Sequence, residues 1–223
     1  MSTPLDRLRE LVRIPTISRL DPAETEWRHF DEFLDRLPRL YPLTHETLDR
    51  EIVEGHSLLY RWEGRTPGDP SVLMAHYDVV SATDEGWTHP PFAAELVGEG
   101  ADQLVWGRGT LDDKGALTCV LEGVEAAIES GFTPEHDVYL SFGHDEETAG
   151  SGAAAAVELL RERGIRPAFV LDEGGAVVED IFPGVTGPIA VVGVSEKGIL
   201  TLTLTVEQGG GHASTPPALS ATA

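Results

Sequence analysis

Three apolar segments that each end in acidic or imidazole residues constrain this chain more than any other feature. They are SVLMAHYDVV (71–80), VYLSFGHDEE (138–147) and AFVLDEGG (168–175). Each reads as a buried strand, because a mainly apolar run leaves neither face of a sheet for water. Between the first two, the spacing turns helical. Leu117, Val120, Leu121, Val124 and Ile128 keep one face after Gly109 until Gly131 stops them, and an Ala-rich helix follows over about 153–163. Strands alternating with helices predict an α/β domain with a largely parallel twisted sheet flanked by helices. In open sheets of this kind, functional groups collect at the carboxyl ends of the strands, so the three ends can meet in one crevice.

The flanking segments fit that frame. Ser2 or Thr3 before Pro4 supplies an N-cap and a first helical residue, and Leu5, Leu8, Leu11 and Val12 then share a face. A second helix carries Trp27, Phe30, Leu34 and Leu37, with Pro38 expected to limit it. Ser57 to Trp62 and Val72 to Ala75 read as strands. The pattern changes near residue 187. Ile189 to Val194 and Leu200 to Val206 read as strands joined by a tight turn near Lys197-Gly198, and the second alternates Leu or Val with Thr, as a sheet covered on one face does. The expected division is an α/β domain over 1–194 and the beginning of a small α+β domain over 195–223.

Composition excludes some functions. With 38 acidic against 16 basic residues, the net charge is −22, and no basic stripe is available for nucleic acid. The single cysteine, Cys119, forms no intrachain disulfide. Met1 to Asp6 lacks the basic and apolar regions of a signal peptide, and no apolar run reaches membrane-spanning length. A soluble cytoplasmic protein is the expectation.

The strand ends carry the chemistry. His76 and Asp78, two apart on a strand, lie on one face, so Asp78 can fix the imidazole as it would for a metal-bound histidine. Taken alone, such a pair is more often only a hydrogen-bonded strand end. Asp112-Asp113, in WGRGTLDDKG (106–115), suits a helix start equally well. Glu146-Glu147 is harder to explain without a cation, because adjacent like charges repel. One can bind a cation while the other shuttles a proton. Asp172-Glu173 can add an oxygen ligand or end a strand in a turn. Together, one imidazole and several carboxylates form a mixed nitrogen and oxygen site for zinc or a similar divalent ion, with room for two.

The segments HYDVV, GWTHPPF, WGRGTLDDKGAL, GHDEETAG, LDEGG, SEKG and GGHASTPP, with the LVRIPTIS start, resemble the aminoacylase/carboxypeptidase S family of cocatalytic zinc peptidases in family order. Acetylornithine deacetylase and succinyl-diaminopimelate desuccinylase are relatives, and the wording is most similar to the carboxypeptidase S and N-acyl-amino-acid hydrolase branch. The resemblance implies that His76 and Asp172 bind one zinc, Glu147 the other, and Asp112 bridges both. Glu173 is a rival to Asp172, and cobalt or manganese can stand for zinc. It implies a cis peptide between Asp112 and Asp113, Asp78 orienting His76, and Glu146 as general base for the attacking water. His212 would reach from a lid domain to the active site of a homodimer partner and steady the oxyanion. Family members continue past residue 223 and supply a further histidine, so the chain reads as an N-terminal portion. The expected substrate is a peptide or an N-acyl amino acid. The alternatives are a metal-binding scaffold without turnover and an acidic cation buffer, the latter weakened because a histidine suits calcium poorly.

Overall fold

The computed structural model describes residues 2–148, 150–195, 198, 200, 202–205 and 207. It forms two compact units, Met1–Glu173 and Gly174–Ala223. The expected boundary at 194/195 falls within the second of these.

The first unit opens with α1 (Pro4–Val12), capped by Thr3, whose hydroxyl accepts from the Asp6 amide while the Asp6 carboxylate accepts from the Thr3 amide. Next come α2 (Trp27–Leu40) and α3 (Pro42–Thr47), then strands β1 (Asp49–Val53), β2 (Ser57–Trp62) and β3 (Ser71–His76). A hairpin of β4 (Glu95–Val97) and β5 (Leu104–Trp106) precedes α4 (Lys114–Glu129), β6 (Val138–Gly143), α5 (Ser151–Glu162) and β7 (Phe169–Leu171). Pro38 does not end α2, which runs two residues further. A proline so close to the end removes only one late bond, and the Leu34 carbonyl it leaves free accepts from Arg50 Nη1 at 3.5 Å. The sequence reading passed over α3, β1 and the β4–β5 hairpin.

The main sheet has the order β1-β2-β6-β3-β7. β1 and β6 are each antiparallel to β2, and β3 is parallel to both β6 and β7. Four of the five strands therefore run one way, and β2 alone opposes them. The chain leaves β3 by α4 to reach β6 on one side, then crosses by α5 to β7 on the other. β3 is thus the strand from which the connections diverge, where an open sheet leaves a crevice beyond its carboxyl end.

Alternation sorts the core into two layers. Leu58, Tyr60, Trp62, Leu140 and Phe142 face α1 to α4 through Leu11, Phe30, Phe33, Leu37, Leu117 and Leu121. Leu59, Val72 and Tyr139 face α5 through Leu160 and Leu159. Burial on both faces is why these strands carry nearly unbroken apolar runs.

In the second unit, β8 (Val177–Glu179) pairs antiparallel with β9 (Pro188–Ala190), and the Val191 amide donates to the Ala176 carbonyl. The strand expected over 189–194 is therefore shorter and starts one residue earlier, because β8 offers only three residues to pair with it. Residues 202–205 form no strand among the described residues; an alternating pattern needs a ladder partner to become one. Thr201, Val206, the Gly209–Gly211 run and His212 lie outside the described residues.

Candidate metal centre

His76 closes β3, and its backbone sets its surroundings. The His76 amide donates to Asp113 Oδ2 at 3.1 Å, and the next amide, Tyr77, donates to the Gly143 carbonyl at 3.0 Å. The ring is buried, with only 3% of the side chain exposed. Nδ1 lies 3.1 Å from the Asp78 carbonyl oxygen and 3.2 Å from Asp78 Oδ1. Two acceptors on that side hold a proton on Nδ1 and turn Nε2 toward the crevice.

Three carboxylates face Nε2. Asp112 Oδ1 is 2.9 Å away, Glu173 Oε1 3.2 Å and Glu146 Oε2 3.9 Å. His76, Asp112 and Glu173 each offer a ligand atom within 4.8 Å of the others. Zinc bonds of about 2.0–2.1 Å set tetrahedral ligand atoms roughly 3.3 Å apart, close to the spacing of Asp112 and Glu173 from Nε2. The donor set therefore fits a divalent ion. Between the two rivals at the end of β7, Glu173 joins the cluster, whereas the Asp172 carboxylate turns back to accept from the Glu173 amide at 2.9 Å.

Asp112 and Asp113 sit on the loop entering α4, and the peptide between them is cis. Asp112 is exposed to the crevice and Asp113 is buried. Gly109, at φ +84°, makes the turn before them in a conformation that a side chain would strain.

The GHDEE stretch divides its labour. His144 is buried, with Nδ1 2.7 Å from Ser57 Oγ. Asp145 accepts from the Ser151 and Gly152 amides at 2.8 and 3.0 Å, clamping the start of α5. These two residues anchor the turn. Glu146 is then exposed to the crevice and Glu147 half-buried beside it. Their amides donate to the Asp78 carboxylate, Glu146 to Oδ1 at 3.1 Å and Glu147 to Oδ2 at 3.2 Å. Asp78 thus joins the strand that holds His76 to the turn that presents both glutamates.

The electrostatics are those of a site short of positive charge. Burial pushes Glu173 up to about 7, and the charges of Asp113, Asp112 and Glu146 add to that against His76. Burial likewise raises Asp113 to about 6, and it raises Glu147 with help from Asp112. Burial alone would lower His76, but the bond to Asp78 and the charges of Asp78, Glu173 and Asp113 lift it to about 10. Acids forced up and an imidazole forced up together mark a cluster in which a cation would relieve both.

Of the seven expected site residues, His76, Asp78, Asp112, Glu146 and Glu147 converge here, Asp172 stands aside and His212 lies outside the described residues. An open groove of about 440 Å³ borders Glu147, with Leu20 and Val80 on its walls. Trp87 lies under the Arg108 guanidinium at 5.3 Å, and Trp106 packs on His89. Two groups were not signalled by the sequence patterns. Ser18 donates to Asp78 Oδ2 at 2.7 Å. Lys114, fully buried, donates to the Leu11 and Ile14 carbonyls at 3.1 and 2.6 Å.

A family model described as peptidase family M20/M25/M40 matches residues 72–223. The chain is 37% identical over 215 residues to the human N-fatty-acyl-amino acid synthase/hydrolase PM20D1, which covers 95% of this chain and 42% of that protein. It is 36% identical over 230 residues to carboxypeptidase S of Saccharomyces cerevisiae, covering 96% of this chain and 38% of that one. It spans about two fifths of the length of such relatives. Among solved structures, human carnosine dipeptidase 1 matches with a TM-score of 0.60 at 16% identity, over 79% of this chain and 39% of that one. The M20 family metallo-carboxypeptidase Sso-CP2 from Sulfolobus solfataricus matches with a TM-score of 0.60 at 22% identity, over 81% and 39%. At those identities the structural matches show the fold.

Proposed function

Because the chain belongs to peptidase family M20/M25/M40, we propose that it carries most of the catalytic centre of a zinc-dependent hydrolase cleaving the amide bond of a peptide or N-acyl amino acid. The observation that supports this most is the convergence of Asp112 and Glu173 on the crevice-facing Nε2 of a buried, oriented His76. In this reading His76, Glu173, Asp112 and Glu147 would hold the metal. Zinc, when bound, polarises a carbonyl and makes water a nucleophile near neutral pH.

The chain's own residues do the rest. Asp78 keeps the His76 proton on Nδ1, so that Nε2 stays a ligand. Glu146, exposed 3.9 Å from Nε2, takes a proton from the attacking water and delivers it to the leaving nitrogen. His212 is proposed to steady the oxyanion from a lid beginning near residue 195, across a homodimer. In the groove beside Glu147, Leu20 and Val80 offer apolar surface to an acyl chain or an apolar side chain, among the charged Arg19, Asp21 and Glu24. Among the described residues no helix is long and apolar enough to cross a membrane. A cytoplasmic setting is part of the proposal, and an unpaired cysteine is in keeping with it.

Equilibrium dialysis against zinc tests the reading. The 223-residue chain should retain zinc, and His76→Ala should lose it. Any hydrolysis of a dipeptide or N-acyl amino acid should vanish in Glu146→Gln with zinc content unchanged. Undiminished zinc in His76→Ala would overturn the assignment.

A further inference from the structure

The segment Ile14-Pro15-Thr16-Ile17-Ser18 is buried beside the metal centre although it belongs to no helix and forms only an isolated bridge, Ile17 to Val79. Three of its polar groups, the Thr16 hydroxyl, the Thr16 carbonyl and the Ser18 hydroxyl, are directed at the extension of β3. The Thr16 hydroxyl donates to the Tyr77 carbonyl, and the Val79 amide donates to the Thr16 carbonyl at 2.9 Å. These bonds set the register. The Ser18 hydroxyl then donates to Asp78 Oδ2 at 2.7 Å, with Ser18 7% and Asp78 0% exposed. Lys114, two residues after Asp112, holds the start of the same segment through the Leu11 and Ile14 carbonyls.

Asp78 accepts four bonds, two at each oxygen. Oδ1 faces His76 Nδ1 and the Glu146 amide, and Oδ2 faces Ser18 and the Glu147 amide. At 2.7 Å, the Ser18 bond is the shortest of the four, and a hydroxyl on a carboxylate is a charge-assisted bond. The others come from the groups that Asp78 positions. Ser18 is the only one of the four donors that belongs to neither β3 nor the Glu146–Glu147 turn. We propose that Ser18 is a positioning residue of the metal centre. It fixes the rotation of the Asp78 carboxylate, and through Asp78 it sets both the His76 ring and the turn presenting Glu146 and Glu147. The N-terminal segment is then a part of the site's frame and not only a cover for the core.

Ser18→Ala tests this with two readouts on the 223-residue chain. The first is the Kd for cobalt(II), followed by its visible absorption. Partners of a metal-binding histidine change affinity about 10- to 100-fold, and Ser18 acts one bond further out, so a rise of about tenfold is expected. The second needs no metal: backbone amide exchange of Glu146 and Glu147 should quicken about tenfold while that of Leu140, in β6, is unchanged. The first readout rests on the proposed function, and the second does not. Quickened amides in a wild type that binds no cobalt would remove the metal reading and leave Ser18 as the residue that sets Asp78. Unchanged amides, or an unchanged Kd in a wild type that does bind, would overturn the proposal. Should Ser18→Ala not fold, Ser18→Thr and Ser18→Val differ only in the hydroxyl, and the same differences are read between them.

Discussion

Replacing Asp78 with Asn should destabilise the chain by roughly 2–4 kcal/mol even without metal. The side chain is fully buried and accepts from Ser18, the Glu146 and Glu147 amides and His76 Nδ1. Asn keeps the shape and one acceptor. With its oxygen toward Glu146 and His76, its amide nitrogen meets the Glu147 N–H, donor against donor. The Ser18 hydroxyl can rotate to accept, but a backbone amide cannot. An unsatisfied buried donor costs about 1–3 kcal/mol, and the two bonds that remain fall from charge-assisted to neutral at about 1 kcal/mol each. Relief from burying a charge offsets part of this. The opposite rotamer is no better, since it faces a donor to both Glu146 and His76. Urea denaturation with chelator present, at one pH, gives the difference directly, because the midpoint shifts while the slope is unchanged. Amide exchange should single out Glu147 over Glu146. A loss under 1 kcal/mol, or equal effects at the two amides, would refute the account of Asp78 as a hub with one proton donor too many for a neutral side chain.

Three further outcomes follow from the same contacts. A methyl group at Gly152 would lie 1.9 Å from Ser57 Oγ and 3.0 Å from His144 Nδ1, so Gly152→Ala should cost about 1–3 kcal/mol by thermal melting, and Ser57→Gly should restore part of it. His45 is lowered by burial, against the raising effect of its bond to the Tyr41 carbonyl; Nδ1 lies 2.8 Å from that oxygen and Nε2 3.0 Å from Tyr60 Oη. Its contribution is complete above the ordinary imidazole value of 6.5 and declines as pH falls below it, so urea midpoints from pH 7 to 5 should drop, and drop less in His45→Gln. Asp137 is raised by burial but carried below the usual carboxylate value by Arg61 at 2.7 Å and the Gly64 amide at 2.8 Å. Stability from this clamp is present above the unfolded carboxylate value and lost as pH falls through the folded one, so Asp137→Asn should flatten the acid limb of the stability curve.

How far the sequence reveals this molecule depends on whether a feature is periodic or relational. β2, β3 and β6 and the helices α1, α4 and α5 carry periods of their own, because each buries a face or a stripe, and their residues show it before any neighbour is known; β7 is legible as an apolar run but, at the edge of the sheet, is exposed where a buried strand was expected. Asp49–Val53, by contrast, reads DREIV. It is a strand because β2 offers it a ladder, and its exposed charges suit an edge. The site divides in the same way. His76, Asp112 and Glu146-Glu147 stand out because carboxylates at strand ends need a reason to be there. Asp172 and Glu173 carry the same charge on adjacent residues, and only the backbone direction after β7 sends Glu173 to His76 and folds Asp172 onto its own neighbour's amide. Ser18 gives still less warning. A serine after an apolar run is an ordinary loop residue, and it acquires meaning from a carboxylate 60 positions away. A residue that positions another carries no local signature, because its chemistry is completed by the partner. Such residues follow from asking which donor satisfies each buried acceptor, a question that has no answer until the chain is folded.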